Sequence, residues 1–164
     1  MKRVERTKTI QAPLRRVYDQ ATQFEQYPRI LVGVKSVRHL DDTHLIWQTQ
    51  LWGRKAKSQA DILEQIPDEK IVWECQGHRA HKVTLLFKEV NAHSATVSLV
   101  LEHWPKGFWQ HLLANCGVIS SFATASMNRF ARFVEKRPLP TGAWRGEIRN
   151  GAVTGPVPGR NVFG

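Results

Sequence analysis

A chain of 164 residues with net charge +10 is long enough for one domain with a real core, and it is strongly basic. No run of about 18 apolar residues occurs, which excludes a membrane-spanning helix, and Met1-Lys2-Arg3-Val4-Glu5 lacks the apolar stretch of a signal peptide, so a cytoplasmic protein is expected. Two cysteines, Cys75 and Cys116, are too few for a disulfide framework or a metal site and are expected as buried free thiols. The charge is concentrated at the ends: +3 over residues 2–8 and +5 over residues 129–164, against +2 for residues 9–128. Such ends can dock on phosphate or on an acidic protein, or simply keep the surface solvated.

Val4 to Ile10 is predicted as a first strand. Ala12-Pro13 opens a short helix, because proline suits the first helical position. Thr22-Gln23-Phe24-Glu25 has the spacing of a capping box, predicting a second short helix that stops at Pro28. Six strands follow: Val34–Leu40, His44–Leu51, Lys55–Ile66, Lys70–Cys75, His81–Val90 and Ala95–His103. Asp41-Asp42-Thr43, Trp52-Gly53 and Pro67-Asp68 supply the turns. Connections this short predict an antiparallel meander.

From Pro105 to Lys136, Phe108, Leu112, Cys116, Ile119, Phe122, Phe130 and Phe133 recur every three or four positions, the stripe of one amphipathic helix about eight turns long. Beyond Arg137 the proline and glycine content ends the helix. Asn150-Gly151 is a hairpin signal, so residues 138–164 are read as a Pro/Gly-rich basic tail, either a small hairpin or disordered, after a domain of residues 1–137.

Period-two alternation sorts the strand faces. Trp47, Thr49, Ala60, Ile62, Trp73, Cys75, Leu85, Phe87, Leu99 and Leu101 point inward. So do His81 and His103, near strand ends. A dry core more often holds Leu, Ile and Val alone; this mixture of Trp, Thr, Cys and His suits a cavity with a few placed polar groups.

This order resembles the helix-grip fold of the START/Bet v 1-like (SRPBCC) superfamily, and within it the polyketide cyclase/dehydrase and coenzyme Q-binding group. The segments that carry the resemblance are Ile10-Gln11-Ala12-Pro13 with Val17-Tyr18-Asp19, Phe24-Glu25-Gln26-Tyr27-Pro28, Val34-Lys35-Ser36-Val37 with Leu40-Asp41-Asp42-Thr43, Ile66 to Trp73, and Phe130 to Glu135. The resemblance implies an α+β helix-grip fold, a curved antiparallel sheet of about seven strands in β-α-α-β6-α order around one long C-terminal helix. It also implies a small hydrophobic ligand, such as a lipid, quinone or polyketide.

The cavity-lining set would be the ten inward strand residues above together with Phe108, Leu112, Ile119 and Phe122 from the helix. Arg79, Trp104 and Trp109 would stand at the mouth. His81 and His103 are the candidate catalytic residues, since imidazole moves protons near neutral pH; ordinary rim histidines have the same pattern. The indole N–H of Trp47 or Trp73 could orient a ligand carbonyl. His39, Asp41, Asp42 and His44 flank one turn, and good turn formers account for them without a metal. No phosphate loop, nucleophile elbow or His-Glu-x-x-His motif occurs, and no cofactor or metal is expected. Three functions compete: a carrier of a hydrophobic molecule, an aromatase/cyclase on a poly-β-ketone served by an acidic carrier protein, and a protein whose basic ends dock on RNA or the ribosome.

Overall fold

The computed structural model describes residues 2–51, 53–77, 80–103 and 116–154. Strand β1 (Lys2–Ile10) leads to helix α1 (Leu14–Ala21) and a 3₁₀ helix (Phe24–Arg29). Strands β2 (Val34–His39), β3 (His44–Leu51), β4 (Arg54–Ile66), β5 (Lys70–Cys75), β6 (His81–Asn91) and β7 (Ser94–His103) follow. Helix α2 (Cys116–Glu135) then precedes a hairpin of β8 (Glu147–Arg149) and β9 (Ala152–Thr154).

The sheet is antiparallel in the order β1-β7-β6-β5-β4-β3-β2, and β8 joins it beside β4. The described strands number nine rather than about seven, because the tail adds two. The expected helix order also changes, since the second short helix is a 3₁₀ helix with Pro28 inside it. The capping box does not form. Thr22 caps the C-terminus of α1, its hydroxyl donating to the Asp19 carbonyl at 2.6 Å. Glu25 is drawn away to His39, whose backbone N–H donates to it at 3.2 Å and whose Nδ1 lies 2.6 Å from it. The Thr22 N–H that the box would need is already taken by the Tyr18 and Asp19 carbonyls at the end of α1, at 3.1 and 3.2 Å. Pro13 likewise sits just before the helix, with extended ψ, rather than at its first position.

The inward faces follow the alternation. Leu45, Trp47, Ala60, Ile62, Ile71, Trp73, Cys75, Val83, Leu85, Phe87, Val97 and Leu99 are all buried. On α2, Ile119, Ala123, Met127, Phe130, Ala131 and Val134 complete the core. At edge strand β1, Val4 and Ile10 are buried. Between them Arg6 reaches across to α2, donating from Nε to Thr124 at 3.1 Å and from its terminal nitrogen to Ser120. Part of the basic N-terminus therefore fastens strand to helix.

The chain after α2 packs against one end of the grip. Trp144 and Ile148 are buried, and the backbone N–H of Trp144 donates to Thr22 Oγ1 at 3.1 Å. Gly146 lies so close to the Trp144 ring that a Cβ there would sit 2.6 Å from it. Asn150 and Gly151 both take positive φ, as a two-residue hairpin turn requires. The Gly151 N–H donates at 2.9 Å to the carbonyl of Leu63, the residue at the β4 bulge.

Candidate functional site

Side-chain size divides the space between sheet and α2. Where Ile10, Val17, Phe24, Ile62, Ile71, Val97 and Val134 meet, all are essentially inaccessible and the interior is filled. Toward the other ends of the strands, Ala123 and Ser126 on α2 face Ala56 and Ser58 on β4 and leave a cavity of about 570 Å³. That volume lies within the range of small-molecule sites, roughly 300–1,000 Å³. Its wall is mainly apolar, with Trp47, Trp73, Leu85, Leu99, Ile119 and Phe130 among the lining.

An aromatic cluster separates the two halves. Trp47 and Trp73 stack at 6.0 Å with rings 16° apart. Tyr27 meets both at 5.9 Å, and Phe24 stands edge-on to Trp73 at 5.5 Å. The 3₁₀ helix delivers Phe24 and Tyr27 to this position. The Tyr27 hydroxyl donates to the Ala21 carbonyl at 2.6 Å, and burial raises it well above the ordinary phenol range. It is a structural donor, not an acid available near neutral pH. Trp47 Nε1 is enclosed without a hydrogen-bond partner among the described residues; a guest carbonyl would reach it only if the ring turned.

Of the expected lining, Trp47, Thr49, Trp73, Cys75, Leu85, Leu99, Leu101, Ile119 and Phe122 stand on the cavity wall. Ala60, Ile62 and Phe87 do not; they are buried in the filled half. Phe108, Leu112, Arg79, Trp104 and Trp109 lie outside the described residues. Both histidines line the cavity. They are direct cross-strand partners, His81 opposite His103, and Cys75 is opposite His81 on the next strand. One row across β5, β6 and β7 thus presents a thiol and two imidazoles. Burial pushes the Cys75 thiol up to about 12, with Asp61 and Glu74 adding to the effect. It is protonated near neutral pH and is no thiolate nucleophile. His39 and His44 diverge. His39 goes to Glu25, while His44 lies 2.8 Å from Asp41 and 3.6 Å from Asp61.

Alternation along strands could not reveal the lining from the 3₁₀ helix and the turn after it: Tyr27, Ile30, Leu31 and Val32. The Val32 N–H donates to Ser126 Oγ at 3.3 Å, holding that turn against α2. Ser126 and Met127 were within reach of sequence reasoning, lying seven and eight residues beyond Ile119 on the same helical face.

The sequence and the fold have known counterparts. An uncharacterised 17.2 kDa protein of Streptomyces lincolnensis, from the melC2-rnhH intergenic region, is 30% identical over 149 residues, 90% of this chain and 99% of its own. Among solved structures, a START superfamily protein from Mycobacterium smegmatis superposes with a TM-score of 0.63 over 82% of this chain and 95% of its own, at 15% identity. The Zhui aromatase/cyclase from a Streptomyces species gives 0.66 over 83% and 94%, at 16% identity. Likeness at such identities is one of fold. Residues 10–145 match the family described as polyketide cyclase/dehydrase and lipid transport, and the chain belongs to that family.

Proposed function

We propose that the protein binds one small hydrophobic molecule, a lipid, quinone or polyketide-like compound, between its sheet and α2. The observation that carries this reading is the apolar cavity of about 570 Å³ beside a half whose described core residues are fully buried. Burying an apolar guest there gains roughly 25 cal/mol for each Å² removed from water. Family membership supports it, since lipid transport is among the family's activities. The test is native mass spectrometry of protein purified gently from its own host, compared with the denatured protein. A discrete mass released on denaturation is expected. If neither a co-purified mass nor uptake of added lipids, quinones and aromatic polyketides can be measured, the reading falls.

A second reading is favoured by the His81–His103 pair on the cavity wall. A poly-β-ketone folded against the Trp47–Trp73 stack would present its carbonyls to imidazoles able to move protons during aldol closure and dehydration. The aromatase/cyclase among the fold relatives makes that chemistry reasonable to assay. Turnover of such a substrate that survives His81→Phe together with His103→Phe would remove the histidines from it.

A further inference from the structure

Beside the cavity lies a second, open depression bounded by Lys35, Gln48, Gln50, Lys55 and Lys57. It shares Thr49, Ala56 and Lys57 with the cavity wall. It is formed by the end of the β3–β4 hairpin and the start of β2, where Thr49 pairs with Val34 and Ala56. Lys35, Arg54, Lys55 and Lys57 are all exposed. Among the described residues none of the four makes an ion pair. The sequence explains why: no carboxylate occurs between Glu25 and Asp41, and none between Asp42 and Asp61. The body of the chain, residues 9–128, is nearly neutral as a whole, yet four of its thirteen basic residues, none of them in an ion pair among the described residues, gather beside the cavity.

We infer that this basic face docks the protein on an anionic lipid bilayer, so that a guest passes between membrane and cavity without crossing much water. The inference rests on the hydrophobic-ligand reading above, because only a guest of low solubility in water needs such a hand-over. Two observations favour a bilayer over an acidic protein. Three of the four cations and all those in the depression itself are lysines, set among glutamines with Arg54 at the edge, and lysine is depleted in protein–protein interfaces, whose anchors are Trp, Tyr and Arg. Lysine is also a compact point charge on a flexible stem, suited to a diffuse field of headgroups rather than to fixed carboxylates. Each basic residue held near an anionic surface strengthens partitioning roughly fivefold, and salt screens the effect within about a Debye length.

The test is vesicle co-sedimentation with phosphatidylglycerol/phosphatidylcholine mixtures and with phosphatidylcholine alone, at low and high salt. Three proteins are compared. One is the natural chain. The second carries Lys35→Gln, Arg54→Gln and Lys55→Gln, none of which lines the cavity. The third carries Arg129→Gln, Arg132→Gln and Lys136→Gln, an equal loss of charge at the end of α2. The natural chain is expected to bind anionic vesicles only and to be released by salt. The patch variant should bind roughly 100-fold more weakly, and the α2 variant nearly as well as the natural chain. Equal losses in both variants would mean that net charge alone acts and would overturn the inference. So would absence of vesicle binding, or binding to a short single-stranded RNA or an acidic carrier protein without vesicle binding. Uptake of a fluorescent fatty-acid analogue, measured without vesicles, keeps the two readings apart. Uptake without vesicle binding sinks the docking face alone, whereas vesicle binding with no co-purified mass and no uptake of this analogue or of added quinones and polyketides sinks the cavity reading.

Discussion

The two ends of the grip are made from the same strands and the same helix, yet one is solid and the other hollow. At the solid end large side chains interlock and the segment after α2 closes over them. Arg145 reaches Asp19 at 2.5 Å and Asp68 at 2.6 Å, and lies over the Tyr18 ring. At the hollow end small residues on α2 and β4 face one another across space. The contrast teaches that packing and the space proposed for a guest are assigned to different halves. A cavity forfeits dispersion contacts and contributes little to stability, so the filled half and its clamp must hold the fold for both.

That division can be broken most strongly by deleting volume. Ile62→Ala, in the filled half, should cost about 4 kcal/mol, because the new void has nowhere to collapse. Leu99→Ala, on the cavity wall, should cost about 2 kcal/mol, since that side chain already lacks neighbours on one side. Urea midpoints at constant slope measure both, and equal costs would show that the halves are not energetically distinct. Next comes the clamp. Arg145→Ala leaves the Asp19 carboxylate, only 9% exposed, with the exposed Arg15 at 3.8 Å as its remaining cation and should cost about 2 kcal/mol. Burial raises the Asp19 carboxyl more than Arg145 lowers it. A raised folded value means that the contribution of Asp19 to stability is fullest below its unfolded value and is lost as pH rises through the folded one. Without Arg145 that loss should deepen, visible as a larger drop in stability from acid toward neutral pH.

Adding volume sharpens the comparison from the other side. Ala60→Leu should cost about 2 kcal/mol by overpacking. Ala123→Leu should cost under about 1 kcal/mol while sharply reducing uptake of the fluorescent fatty-acid analogue, because the added atoms occupy the cavity. The smallest effect concerns Glu25. Burial acts to raise its carboxyl, but the hydrogen bond and charge of His39 outweigh this and bring it down to about 2. A lowered folded value gives stability that is present above the ordinary value of 4.5 and lost as pH falls from there toward 2. Half exposure limits the gain to about 1 kcal/mol or less. Glu25→Gln should flatten the acid limb of the stability profile by that amount and leave uptake of the analogue unchanged.

Much of the fold was legible because strand periodicity is a local property. The register rows, Leu45 with Ala60 or Val83 with Leu101, follow from alternation and short turns. The positive φ of Asp68, after Pro67, and the positive φ of Asn150 and Gly151 occur at turn signals that the residues themselves announce. The capping box predicted at Thr22 does not form because the Thr22 N–H closes α1 and Glu25 meets His39 fourteen residues away, and no local spacing reveals such competition. Ala60, Ile62 and Phe87 were expected at the cavity for a similar reason: alternation says that they face inward but not whether another side chain fills the space before them.

The sequence by itself determined which residues face inward, where the chain turns and that one amphipathic helix must cover the sheet, because these depend on the period of apolar residues along a short stretch. Only the tertiary structure decided which inward residues meet neighbours and which meet space, that the segment after α2 clamps one end through Arg145, and that the lysines of two carboxylate-free stretches come together beside the other. Those outcomes depend on distances between residues far apart in the chain, set by the volumes of facing side chains across the fold and carried by no local pattern.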